Sequence, residues 1–422
     1  MASPQPPPGM VAMLHQAYPG GPQQIYYVPA PGKQAGGAGG VMEGLESKIR
    51  ALASTDKLEG FSFKEVFKET FRKHGSDAVE EYMAAGSART TPPLELVDTN
   101  WPKPWMFFRV VAGLAIAYGV FYAEFIYTQN INLVLGIMVL ATFAVPMATV
   151  TLLWEMNAPR NISVAKTIEV CVLGGGLSIV IATLWYMIPP FNAPQDVAGI
   201  VEETSKLLAV IIVTYSARGA RYPYQLNGIL FGAAVGAGFA CSETLGYGLQ
   251  AGMRFFEGGG VQQLLAANPQ LTVGQLFVSV IKSIVPNLDM RGLESPFGHP
   301  MMTAISAGAF WRVKGDRQAS ASMLLDGRFL RAFIIPVLLH ETWDLTLSFP
   351  NINPYVMDGL QAAVAIVGWY VVFTMIQQGL HQVRDMQKAQ LQSTLRTVQA
   401  TLGLGAMRRP MQPPPPGYAV QR

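Results

Sequence analysis

The stretch Val197–Ser216, VAGIVEETSKLLAVIIVTYS, decides how this chain is read. Its length and apolar second half suit a helix crossing a hydrocarbon core of roughly 30 Å. Its first half carries Glu202, Glu203 and Lys206 side by side. An ionised side chain near the bilayer centre costs roughly 3 kcal/mol on insertion scales, so these groups must face inward, toward one another, a metal or water. Glu202 and Lys206 are four residues apart and could form a helical ion pair. Glu203 points about 100° away on an α-helix and is not covered by that pair.

Working outward, the chain of 422 residues is half hydrophobic and only 14% charged, against roughly 25% charged in an average soluble domain. The expected fold class is all-α: a polytopic membrane protein with about eight transmembrane helices and cytoplasmic extensions at both ends. Apolar segments fall at about 107–127, 131–153, 164–188, 197–216, 226–249, 297–313, 328–349 and 357–378. The sixth is short and could begin within LFVSVIKSIVPNL. The first long apolar run begins near Phe107, so the first span is expected to act as its own insertion signal. Two cysteines, Cys171 and Cys241, lie within apolar segments and read as small packing residues. A net charge of +3 gives no indication of a nucleic-acid partner.

Four regions follow from composition. Residues 1–41 are rich in Pro, Gly and Gln and are expected to be a disordered tail. Residues 42–100 read as a small cytoplasmic helical segment. There Ser62 and Glu65 have capping-box spacing, Phe63, Phe67 and Phe71 recur every four residues, and a second helix is expected over SDAVEEYMAAG. Residues 101–380 form the transmembrane domain. Residues 381–422 hold an exposed helix, with Leu391, Leu395 and Val398 on one face, and a Pro-rich tail.

Basic residues set the expected orientation. Arg160 and Lys166, Arg218 and Arg221, and Arg312, Lys314, Arg317, Arg328 and Arg331 follow the second, fourth and sixth spans. The links after the first, third and seventh carry none. Both termini are therefore expected in the cytoplasm. With that direction, Glu202, Glu203, Lys206, Glu243, His299, His340 and Asp344 come to one level in the outer half of the membrane. Small residues around them, GAAVGAGFA and AISAGA, would let helices close on such a site. Glu169 has Lys166 one turn behind it and reads as structural.

Two histidines and a carboxylate are a usual ligand set for catalytic zinc, with one position open for water. Glu243, His299 and His340 would be the ligands, and Glu202 or Glu203 the base. Without a metal, two close carboxylates could activate water directly, with the histidines as oxyanion donors. A proton- or cation-coupled transporter and a non-catalytic binding or immunity protein are the rival readings of buried Glu, His and Lys.

EETSK resembles the EExxK motif of PrsW-type intramembrane proteases, and FACSE resembles their FxxxE motif. His299 and His340 complete the pattern, and the likeness covers roughly residues 100–380. The wider group includes CAAX prenyl proteases and bacteriocin-immunity-type proteins; it often has Asn where this chain has Asp344. The resemblance implies an intramembrane peptidase of a bacterial cytoplasmic membrane. It would cut a membrane-anchored protein, such as an anti-sigma factor, near the extracytoplasmic side. Glu202, Glu203, Lys206, Glu243, His299 and His340 would carry the reaction.

Overall fold

The computed structural model describes residues 10–16, 23–29, 38–192, 194–215, 222–348 and 353–401. The chain divides into two compact units, Met1–Ala51 and Leu52–Arg422. The first holds an antiparallel hairpin, β1 (Met10–Gln16) and β2 (Gln23–Pro29), paired from Met10↔Pro29 to Gln16↔Gln23. The hairpin lies in the segment whose Pro and Gly content predicts a disordered tail. Between the Pro- and Gly-rich runs, MVAMLHQ is free of Pro and Gly, and QQIYYVP holds the β-branched and aromatic residues that favour a strand. Two strands alone are marginal in water. Helix α1 (Ala38–Ala53) follows.

The second unit is helical. The Ser62 capping box does not form: α2 is the single turn Phe63–Val66, Ser62 makes no side-chain cap, and Glu65 pairs with Lys68 at 2.9 Å. The three phenylalanines stay neighbours without a continuous helix: Phe63 stacks on Phe67 and meets Phe373, Phe67 packs on Phe107, and Phe71 on Phe108. The second expected helix is α3 (Ser76–Ala84).

The bundle comprises α4 (Met106–Thr128), α5 (Val134–Met156), α6 (Val164–Glu169), α7 (Gly175–Tyr186), α8 (Pro194–Thr214) and α9 (Gln225–Glu257). Then come α10 (Gly260–Ala267), α11 (Val273–Glu294), α12 (His299–Lys314), the short α13 (Ala321–Leu324), α14 (Gly327–Ser348) and α15 (Pro354–Thr401). A π-helical turn, Val170–Gly174, joins α6 to α7.

Among the described residues, five helical runs are long and apolar enough to cross a membrane: Met106–Thr128, Ile131–Met156, Val164–Tyr186, Gln225–Glu257 and Tyr355–Thr401. The other three expected spans exist as helices α8, α12 and α14 but are not among these five. Helix α12 has 16 residues, about 24 Å at about 1.5 Å per residue. Helices α8 and α14 are diluted by the polar groups that draw attention to them. The residues between the fifth and sixth expected spans form α10 and α11, and LFVSVIKSIVPNL, where the sixth span could begin, belongs to α11. Thr272 and Gln275 form the capping box that starts α11.

Helix α9 is the hub. Every residue from Gln225 to Cys241 is buried. Its glycines allow the neighbours to touch its backbone. A Cβ at Gly232 would collide with the Thr303 carbonyl, one at Gly236 with the His299 carbonyl, and one at Gly238 with the Cys171 carbonyl. These contacts press α12 and the π-turn onto α9. At its start, Asn227 Nδ2 donates to Asn157 Oδ1 (3.0 Å) and Asn161 Oδ1 (2.7 Å), pairing buried amides that would otherwise be unsatisfied. Cys171 and Cys241 are both free and buried, as their apolar context predicts. Lys166 and Glu169 form the expected local ion pair at 2.7 Å.

Candidate active site

Helices α8, α9, α12 and α14 bring together all six residues singled out in the sequence. The centre is the ammonium of Lys206, which has no exposed surface. It donates to Glu203 Oε1 (2.8 Å), Glu202 Oε2 (3.4 Å) and His299 Nδ1 (2.8 Å), and lies 4.3 Å from the centroid of the Phe239 ring. Three donors thus meet three acceptors, with an aromatic face beside them.

Glu203 lies behind this centre, fully buried. Its Oε1 accepts from Lys206 and from His340 Nδ1 (3.0 Å), while Thr303 and Ser306 hydroxyls approach Oε2 at 3.5 and 3.4 Å. A carboxylate only accepts, so His340 donates from Nδ1 to Glu203, while its Nε2 faces two further carboxylate oxygens, Glu202 Oε2 (3.5 Å) and Asp344 Oδ2 (3.6 Å). Lysine only donates, so His299 accepts at Nδ1 and donates from Nε2 to Glu243 Oε2 at 2.8 Å. The two imidazoles stand 5.1 Å apart.

Exposure is graded across the site. Side chains of Glu203 and Lys206 have none, His340 has 3%, Glu202 11%, His299 15%, Glu243 20% and Asp344 29%. Access is therefore from the side of Glu243 and Asp344.

Two residues of the site were not legible as such. Tyr186, at the end of α7, donates to Glu202 Oε1 at 3.2 Å. At the end of an apolar span a tyrosine reads as an interfacial aromatic. Arg291, on α11, donates to Glu243 Oε2 at 2.7 Å. The TVGQ capping box could have revealed that helix.

The group with the spacing to hold a metal ion has Glu202 where the sequence reading places Glu243, alongside His299 and His340. Glu202, His299 and His340 each offer a ligand atom, and these atoms all lie within 4.8 Å of one another. Glu243 is outside this group; its Oε2 accepts from Arg291 and His299. Two imidazoles with one carboxylate suit a catalytic divalent ion, and Glu203 orients His340 as an outer carboxylate does in such sites. Four carboxylates, Glu202, Glu203, Glu243 and Asp344, against Lys206 and Arg291 leave a formal charge of about −2 with neutral imidazoles. The charge and donor types of these residues fit a divalent ion, for which His299 Nδ1 would be the ligand atom once the Lys206 ammonium that now occupies it moves aside.

The family model described as PrsW family intramembrane metalloprotease matches residues 133–376, which include every residue of the cluster. No curated protein and no solved structure matches the chain.

Proposed function

The chain belongs to the PrsW family of intramembrane metalloproteases, and from that premise we propose that it hydrolyses a membrane-anchored protein near the extracytoplasmic face of a bacterial cytoplasmic membrane. The observation that carries the reading is the convergence of Glu202, His299 and His340 beside a buried Glu203–Lys206 pair. In this reading α8, α12 and α14 complete eight spans with both termini cytoplasmic. Their polar residues turn into a shared chamber, which offsets the cost of placing them in the membrane.

Glu202, His299 and His340 would hold the ion, and zinc suits that set. Bound there, it supplies Lewis acidity, polarising a carbonyl oxygen and acidifying water. Glu203 holds the His340 ring through Nδ1–H and leaves Nε2 facing Glu202. Lys206 balances the charge of both adjacent glutamates and fixes their rotamers. Full burial and four donors make Glu203 a poor acceptor for a proton from water. The base is better assigned to Glu243, on the accessible side, whose Oε1 carries no hydrogen bond among the described residues. It takes one proton as water oxygen bonds to the peptide carbon, and returns it to the amine nitrogen as the C–N bond breaks.

The test is metal analysis of the purified protein, wild type beside His299→Ala and His340→Ala, together with membrane proteomes compared between wild type and Glu202→Ala. One equivalent of zinc lost in both histidine variants, with a membrane protein left uncut in the Glu202 variant, is expected. Unchanged metal content and an unchanged proteome would refute the proposal.

A further inference from the structure

Arg291 opens the RGLESPFGH stretch, outside EETSK, FACSE and the two histidines, and it is a charged side chain at the mouth of a chamber built from α8, α9, α12 and α14 with Tyr186 of α7. Its helix is firmly placed. Leu288 and Ile284 of α11 lie against Gly248 and Gly252 of α9, where a Cβ would come within 2.6 Å and 3.0 Å of their side chains. On another side, the Tyr118 hydroxyl bonds both oxygens of Asp289 at 2.8 and 2.9 Å. The guanidinium this delivers is dedicated to one acceptor. Nη2 bonds Glu243 Oε2 at 2.7 Å, the group lies 3.9 Å from the centroid of the Tyr247 ring, and Nε is buried without an acceptor.

The same oxygen, Glu243 Oε2, also accepts from His299 Nε2 at 2.8 Å. One line of charge-assisted bonds therefore runs Arg291–Glu243–His299–Lys206–Glu203–His340. In the other half of that line, Glu203 fixes His340. Among the described residues, nothing but Glu243 fixes the Nε2 side of His299, and nothing but Arg291 and His299 donates to Glu243.

We propose that Arg291 is a positioning residue of the active site: it anchors Glu243, and through Glu243 it sets the tautomer and ring orientation of His299. The proposal rests on the reading of Glu202, His299 and His340 as the ion site. Without the guanidinium, Glu243 keeps a single donor, its carboxylate is free to rotate, and the His299 ring loses its fixed proton position. Outer partners of ligating histidines typically change metal affinity or activity by about 10- to 100-fold, and a loss of that size is expected here.

The experiment uses full-length protein in detergent and cobalt(II) alone as the probe, titrated by its visible absorption. Compared are wild type, Arg291→Gln, Arg291→Lys, Glu243→Gln, the Arg291→Gln/Glu243→Gln double variant, and Lys282→Gln on the exposed side of α11. Arg291→Gln is expected to weaken cobalt binding about 10- to 100-fold and to lower kcat on a cleaved membrane substrate without raising KM. Arg291→Lys recovers most of the loss, the double variant is no weaker than Glu243→Gln, and Lys282→Gln behaves as wild type. Wild-type cobalt affinity in a folded Arg291→Gln protein, or losses that multiply in the double variant, would overturn the proposal. Glu243→Gln keeps the arginine and its packing. Unchanged affinity there overturns the proposal however Arg291→Gln folds. If His299→Ala and His340→Ala bind cobalt as wild type does, it is the underlying ion-site reading that fails.

Discussion

Replacing Lys206 by methionine removes a charge while nearly conserving volume, and it probes the centre of the site. Lys206 and Glu203 are both without exposed surface, 2.8 Å apart. Glu202 and His299 are the other two partners of the ammonium. Breaking a buried pair by removing one member costs about 3–5 kcal/mol, because the remaining charge is left uncompensated. Loss of the contact with Phe239 adds about 0.5–2 kcal/mol. At about 1.4 kcal/mol per factor of ten, even the combined lower bound shifts the folded-to-unfolded ratio roughly 300-fold. Replacing the whole pair is a different matter, since an uncharged substitute needs no counter-ion and is often neutral. Lys206→Met/Glu203→Gln is therefore expected within about 2 kcal/mol of wild type. The assay is equilibrium unfolding in mixed micelles, followed by tryptophan fluorescence, with chelator present so that no divalent ion replaces the ammonium. Adding zinc is expected to reduce the penalty of the single variant. A Lys206→Met protein within about 1 kcal/mol of wild type, or a double variant as unstable as the single, would refute a buried ammonium holding these carboxylates together.

Three further outcomes are expected. Gly236→Ala places a methyl against the His299 carbonyl and Pro300 Cα, so it should cost about 1–3 kcal/mol and weaken zinc binding measured by competition with a chelating dye; Gly246→Ala, whose Cβ meets nothing within 4 Å, should do neither. Tyr186→Phe removes one hydrogen bond to Glu202 Oε1, worth about 0.5–1.5 kcal/mol, and should lower kcat up to about tenfold while metal content stays at wild-type level. Glu155 takes the backbone N–H groups of Trp105, Met106 and Phe107 at the start of α4 at 2.7–2.8 Å, and the Tyr82 hydroxyl at 3.1 Å. Glu155→Gln loses one acceptor oxygen and the charge at that helix N-terminus, so calorimetry should show about 1–2 kcal/mol of destabilisation.

The sequence by itself determined that Glu202, Glu203, Lys206, Glu243, His299 and His340 share a site. Ionisable groups on apolar helices have nowhere to go but toward one another, and that constraint is independent of how the helices pack. It likewise determined the helical class and the close approach to α9, because GAAVGAGFA offers a surface without side chains. Tertiary structure decided what depends on direction. Glu202 and Glu203 differ by about 100° around α8, but only the placement of α12 and α14 makes Glu203 the buried one and Glu202 the neighbour of Nε2 on His340. It decided that Glu243 meets Arg291 and His299. Lys282, Pro286, Asp289 and Arg291 interrupt the apolar pattern of α11, so the sequence offers it only as a possible start of the sixth span and not as a separate helix. Periodicity reports which face of a helix avoids water or lipid, whereas partners separated by dozens of residues are chosen by packing alone.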